Sequence, residues 1–231
     1  MSFNIAIDGP AGAGKSTIAR ELAAKLSFLY VDTGAMYRAM AYYFLTHGIS
    51  ADDEDALCAA CHDIQISLGY ADGSQKVFLN GTDVTDQIRR EEVGNMASAT
   101  SGYPFVREKL LRLQQELAME NDVIMDGRDI GTCVLPDAQL KIYLTASVRT
   151  RAMRRYKELS EKGQDCDPAE IERDIEARDY RDMHREIAPL KAAADAVTLD
   201  SSEMTVAEVV EEIYRMVCGT EKENTAHEPV Y

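Results

Sequence analysis

Five short apolar runs punctuate the chain, at residues 5–7, 28–32, 123–126, 140–144 and 196–200. Each is too short for a helix and is bounded by turn or charged residues, as a buried parallel strand requires. Between them, apolar residues recur every three or four positions. Ile18, Ala19, Leu22, Ala23 and Leu26 form one such stripe, and residues 35–45 form another that Gly48 stops. Pro104 opens a third through Leu110, Leu111, Leu113, Leu117 and Ala118; Val206, Val209, Val210, Ile213 and Val217 form the last, ended by Gly219. Strands alternating with helices predict an α/β fold: a five-stranded parallel sheet with helices on both faces.

One stretch departs from this rhythm. Residues 64–68 alternate apolar and polar, and Asp72-Gly73 and Asn80-Gly81 are hairpin turn pairs flanking Val77-Phe78-Leu79. They predict a small antiparallel meander of three strands, an insert spanning about residues 63–86. Residues 86–101 read as one helix after it, and residues 53–61 as a short helix with an acidic start before it. Asp167-Pro168-Ala169-Glu170 is a helix start with acidic cap, first-turn proline and capping-box glutamate. Residues 161–165 read as a mobile loop and residues 221–231 as a disordered tail.

The candidate chemistry begins at the first strand's end. Gly9-x4-Gly14-Lys15-Ser16 fits the phosphate-binding P-loop without mismatch, between a strand and a helix as that motif demands. Gly9, Pro10, Ala11, Gly12, Ala13, Gly14, Lys15, Ser16 and Thr17 form the candidate ATP site. Glycines let backbone N–H groups curl around an anion, and a helix opening at Lys15 adds its positive dipole end. Lys15 supplies charge for the β and γ phosphates; Ser16 offers a hydroxyl to Mg²⁺.

Charge sharpens the picture. With 25 basic and 40 acidic residues the formal net charge is −15, which argues against nonspecific nucleic-acid or anionic-membrane binding. A phosphate site in so acidic a chain needs arginines gathered locally. Candidates follow the strand ends or lie on later helices: Arg38, Arg107, Arg128, then Arg149, Arg151, Arg154 and Arg155, then Arg178 and Arg185. Arg178, Asp182 and Arg185 share a helix face. Each alone fits a solvated surface; together they outnumber the needs of one phosphate and suit two phosphorylated substrates. The Gly163 loop between arginine-bearing helices suits a lid that excludes water. The five cysteines are scattered, no apolar run reaches membrane-spanning length, and the chain opens directly on a core strand without a basic-apolar-small leader, so a reduced cytoplasmic setting is expected. Cys58-Ala59-Ala60-Cys61-His62 matches the haem-attachment pattern, but within a short helix it reads as small buried cysteines on an apolar face.

Gly9 to Thr17, residues 32–38 (DTGAMYR), residues 126–132 (DGRDIGT) and residues 178–182 (RDYRD) with Arg185 closely resemble the bacterial cytidylate kinases, in order, over residues 3–217. The P-loop is generic; the other three stretches together are particular to that family. The resemblance implies ATP- and Mg²⁺-dependent phosphorylation of CMP and dCMP. It implies that Arg38, Arg128, Arg178 and Arg185 hold the acceptor's phosphate and sugar, with Thr33 and Asp182 beside them, and that Ser98, Arg107 and Asp129 face cytosine. Chemistry agrees for the base: an aspartate accepts from cytosine N4, where uracil presents an acceptor instead. Catalysis then falls to Lys15, Arg128, Asp129, Arg178 and a lid arginine, Arg155 or its neighbours Arg151 and Arg154. The expected organisation is a P-loop kinase core (residues 1–34, 104–150 and 188–220), a nucleotide-monophosphate region (35–103) carrying the insert, and a lid with its flanking helices (151–187), in a monomer. Another P-loop kinase acting on UMP, AMP or shikimate is the alternative, and a nucleotide switch a more distant one.

Overall fold

The computed structural model describes residues 2–71, 74–161 and 163–225. Its main sheet comprises β1 (Asn4–Asp8), β2 (Leu29–Asp32), β6 (Val123–Gly127), β7 (Leu140–Thr145) and β8 (Val197–Asp200). All are parallel, in the order β2-β6-β1-β7-β8. Side chains alternate between the faces, so each face carries its own core. Ile5, Ile7 and Ile124 pack on α1 (Lys15–Leu26) and α8 (Val206–Thr225). Ala6, Val123 and Met125 pack on α2 (Thr33–Thr46) and α5 (Pro104–Glu120). Helices therefore cover both faces of a five-stranded parallel sheet, as the periodicity predicts.

Register positions the chemistry. Asp32 lies beside Asp126, and Asp8 beside Gly127. Three carboxylates thus end neighbouring strands at the carboxyl edge, where α/β sheets bind ligands. Gly9, the next residue, has φ 150°, and a Cβ there would sit 1.9 Å from the Leu144 carbonyl oxygen, so only glycine lets the loop cross β7 this closely.

The insert forms a separate antiparallel sheet, β3 (Ile66–Ala71), β4 (Ser74–Leu79) and β5 (Thr82–Asp83). Asn80 and Gly81 take φ 48° and 80°, as the two-residue hairpin turn demands. The Asp72-Gly73 turn lies outside the described residues. The insert caps the edge strand β2. Gln75 Oε1 accepts from the Asp32 N–H at 2.9 Å and its Nε2 donates to the Asp32 carbonyl at 3.4 Å, while the Tyr70 hydroxyl donates to the Tyr30 carbonyl at 3.1 Å. Two side chains satisfy backbone groups that a sixth strand would otherwise pair.

Four local expectations need correction. Residues 86–101 are not one helix: a 3-10 turn (Gln87–Arg89) and α4 (Glu91–Thr100) are separated by Arg90, extended at φ −64°, ψ 149°. Glu91 and Glu92 then fill the first turn of the new helix, where its dipole favours acids. Gly219 does not end α8, which runs to Thr225. It lacks the left-handed φ of a cap, and the Thr220 hydroxyl continues the helical pattern by donating to the Met216 carbonyl at 3.0 Å. Residues 221–225 are therefore helical rather than disordered, and residues 226–231 lie outside the described residues. On α3 (Glu54–Asp63), capped by the Asp53 side chain, Cys61 is buried but Cys58 is exposed, so only one of the pair lies on the apolar face.

Candidate active site

The P-loop residues surround the N-terminus of α1. Gly12 and Gly14 have φ 75° and 90°, which frees backbone N–H groups to face one point. Lys15 is buried, and its ammonium donates to the Pro10 carbonyl at 2.9 Å. Burial, then the like charge of Arg128, holds its pKa well below the usual lysine range; Asp126 and Asp8 pull it back. The ammonium is thus held in place and poorly compensated, a state that favours an incoming polyphosphate.

Ser16 Oγ donates to Asp126 Oδ2 at 2.9 Å, and the Tyr30 hydroxyl to Asp126 Oδ1 at 2.9 Å. Burial, reinforced by the Asp32 charge, raises the Asp126 pKa from 3.8 to about 6. A folded-state pKa above the unfolded one means that the protonated carboxyl favours the fold. That contribution is full below about pH 4 and is lost as pH rises through about 6. At pH 8 ionised Asp126 therefore opposes folding, by roughly 1–3 kcal/mol. Asp126→Asn is expected to melt a few degrees higher than the parent at pH 8, with the difference shrinking towards pH 5, while losing most of its turnover. Calorimetry across that range checks this; a lower melting point at pH 8 would mean that the carboxylate's hydrogen bonds outweigh its desolvation.

The separated arginines converge on the same edge. Arg128 Nε donates to Asp182 Oδ2 at 3.0 Å, joining the β6 loop to α7 (Pro168–His184). Arg178, also on α7, lies within electrostatic reach of Arg128, Asp182 and Arg38, and Arg128 in turn neighbours Lys15. Burial, then Arg128, lowers the Arg178 pKa to about 10, and its Nε is buried without a hydrogen-bond partner. Arg38 sits near Asp32: around Gly34, a Cβ would meet Asp32 Oδ1 at 3.3 Å and Arg38 Nη1 at 3.7 Å. Burial also lowers its pKa, against the pull of Asp32. Thr33 is buried and its hydroxyl donates to the Asp126 carbonyl at 2.8 Å, so here it ties β6 to α2.

Asp129 lies at the centre of a second group. It pairs with Arg107 Nη2 and stands 3.6 Å from Arg185 Nη2, itself a buried nitrogen without a hydrogen-bond partner. Arg107 also lies over the Tyr37 ring at 5.8 Å. Arg185 Nη1 donates to Ser101 Oγ at 3.2 Å, and Ser101 donates on to the Ser98 carbonyl at 3.1 Å. The Ser98 hydroxyl, like Arg185 Nη2, is buried with no hydrogen-bond partner.

The α6 (Val148–Glu161) arginines separate by role. Arg151 is buried: it donates to the Ala146 and Ala11 carbonyls, each at 2.9 Å, and pairs with Asp179 at 2.6 Å, clamping the P-loop from behind. Arg154 Nη2 donates to the Ser201 carbonyl at 2.7 Å, and its Nη1 lies 4.0 Å from where a Gly14 Cβ would stand. Arg155 is not brought to the cluster: it is partly exposed and pairs with Glu158 on its own helix at 2.9 Å.

Sequence reasoning left several residues of this edge unassigned. Tyr30 and Gln75 carry no motif of their own, Asp8 merely precedes the P-loop, and Asp126 opens the 126–132 stretch without a role of its own. Arg89, 3.2 Å from Asp32, sits in the stretch misread as one helix.

A P-loop lysine with buried arginines gathered beside it at the carboxyl edge of this sheet is the arrangement of a P-loop kinase with a phosphorylated acceptor, the nucleoside monophosphate kinase class. The model of a family described as cytidylate kinase matches residues 5–218. Curated cytidylate kinases from Lactobacillus gasseri and Ligilactobacillus salivarius are 49% and 50% identical; the matches cover 95% and 93% of this chain and 96% of each relative. One from Caldicellulosiruptor bescii is 49% identical over 93% of this chain and 95% of its own. The chain belongs to the cytidylate kinase family. A solved structure of an uncharacterized protein from Eubacterium ventriosum shares the fold, with a TM-score of 0.53 at 11% identity, covering 94% of this chain and 98% of that one.

Proposed function

We propose that the protein transfers the γ-phosphoryl group of ATP to the phosphate of CMP or dCMP, giving ADP and CDP or dCDP. The observation that carries this reading is Asp129, held between Arg107 and Arg185 and next in the chain to Arg128, whose charge acts on Lys15 of the P-loop. An acceptor-phosphate oxygen attacks the γ-phosphorus in line, and the bond to the β-bridging oxygen breaks. The P-loop N–H groups and Lys15 hold the β and γ phosphates, while Arg38, Arg128, Arg178 and Arg185 clamp the acceptor's phosphate and sugar. Asp182 orients Arg128 through their 3.0 Å hydrogen bond. Asp129 accepts from cytosine N4 and Arg107 donates to the acceptors beside it, with the partnerless Ser98 hydroxyl available to the same base.

Residues 151–187 act as the lid, and its closure carries Arg155 from its exposed pairing towards the transferring phosphoryl. Mg²⁺ suits this edge. Ser16 and Asp126 present hard oxygens, and no group of three or more His, Cys, Asp or Glu side chains among the described residues forms a metal cage. An ion held by one hydroxyl, one carboxylate and the nucleotide phosphates is the pattern this cation favours. When bound it would neutralise charge on the phosphates. Residues 35–103 form the acceptor-nucleotide region, and the remaining core binds ATP. The negative net charge and free cysteines fit a cytoplasmic monomer acting on small nucleotides rather than nucleic acid. No helix among the described residues is long and apolar enough to cross a membrane.

The test is ADP release from ATP with CMP, dCMP, UMP, AMP or shikimate as acceptor. CMP and dCMP should be the preferred acceptors. Preferred turnover of AMP would end the cytidylate reading, and nucleotide hydrolysis indifferent to acceptor would favour a switch.

A further inference from the structure

Asp8 has no part in the mechanism above, yet this buried carboxylate joins the start of the P-loop to the loop that carries Asp129. It closes β1 immediately before Gly9, so its backbone starts the P-loop. Its side chain points to the other loop. Oδ1 accepts from the Ile130 N–H and Oδ2 from the Gly131 N–H, each at 2.7 Å. Those are the two amides directly after Asp129. Asp8 is 4% exposed, so nothing from solvent replaces either bond. The turn it grips has little slack: a Cβ on Gly127 would meet Ile130 Cδ1 at 2.6 Å and Thr33 Oγ1 at 2.9 Å. A Cβ on Gly131 would lie 3.4 Å from Asp8 Oδ2 and 3.2 Å from Lys141 Cδ.

We infer that Asp8 is a positioning residue for base selection: by holding the Ile130 and Gly131 amides it fixes the loop that aims Asp129 at the acceptor's base, in register with the P-loop. Two acceptor oxygens are required, one for each N–H. Asparagine offers a single oxygen, and its NH₂ group opposes the second amide, leaving a buried donor unpaired. The turn must then shift, and Asp129 with it, because the amides concerned follow it in the chain. The inference rests on the cytidylate reading, so the wild-type preference for CMP over UMP is measured first; without that preference the reading itself fails.

The experiment compares kcat/KM for CMP and for UMP, at saturating ATP, in wild type, Asp8→Asn, Asp129→Ala and the double variant. Asp8→Asn should reduce the CMP-to-UMP ratio about tenfold, a typical share of a base-reading hydrogen bond. In the Asp129→Ala background it should leave the ratio unchanged, since its effect passes through that side chain. An Asp8→Asn enzyme that loses both activities equally and keeps its ratio, or that lowers the ratio further without Asp129, overturns the inference. If Asp8→Asn fails to fold, Gly131→Ala crowds the same contact more gently. A ratio reduced about threefold supports the inference, and an unchanged one overturns it.

Discussion

Lys15→Met should lower kcat by about three orders of magnitude or more, for any acceptor, while leaving the protein at least as resistant to heat as its parent. The first half follows from position. The ammonium is fixed by the Pro10 carbonyl at the mouth of the P-loop, where negative charge gathers as the phosphoryl moves. Removing one preorganised donor from such a site typically costs about 10²–10³ in rate, and here a full charge leaves with it. The second half follows from burial. The lysine pKa is driven down chiefly by desolvation, so its charged form is costly to hold in the folded state. A methionine of similar length removes that cost and keeps the packing against its buried neighbours. Rapid-quench kinetics and a thermal melt on the same preparation check both halves. A variant that melts well below its parent would mean that the lysine's bonds to its surroundings outweigh its desolvation.

Asp129→Ala is the second large effect. It removes the acceptor expected to read N4 and leaves Arg107 and Arg185, at 3.6 Å from it, without their shared counter-ion. Discrimination between CMP and UMP should fall by about 10–100-fold, the range a base-edge contact supplies. Overall turnover with CMP should fall as well, because the two guanidiniums repel each other and drift from their positions. Steady-state rates with both acceptors settle it; an unchanged preference would remove Asp129 from base reading.

Much of this architecture can be read without coordinates, for local reasons. The P-loop glycines are dictated by backbone geometry, and the strands by short apolar runs that no helix could use. Partnerships between distant side chains are another matter. Arg151, Arg154 and Arg155 look alike along the helix, yet Arg151 braces the P-loop, Arg154 holds the Ser201 carbonyl and Arg155 pairs with its own helix. Only the packing of α6 against the loop separates them. Asp8 could not be distinguished from a strand-end cap, because its partners lie 122 and 123 residues away. Gln75 reads as an ordinary polar strand residue until the insert is seen folded onto β2. The errors at Arg90 and Gly219 have a common cause. Apolar spacing reports which residues face a core but says little about where a helix pauses, and that depends on a single backbone torsion.

The Arg178 Nε and Arg185 Nη2 atoms are buried with no acceptor, in company that includes Arg38, Arg107 and Arg128. Like charge crowds these guanidiniums, offset in part by Asp129 and Asp182, and a bound dianion would relieve it. Nucleotide should therefore act on this protein much as a missing structural part would, tightening the whole fold when it docks. Abundance in the cell would then follow the supply of acceptor, with starved molecules the first to be cleared by proteases.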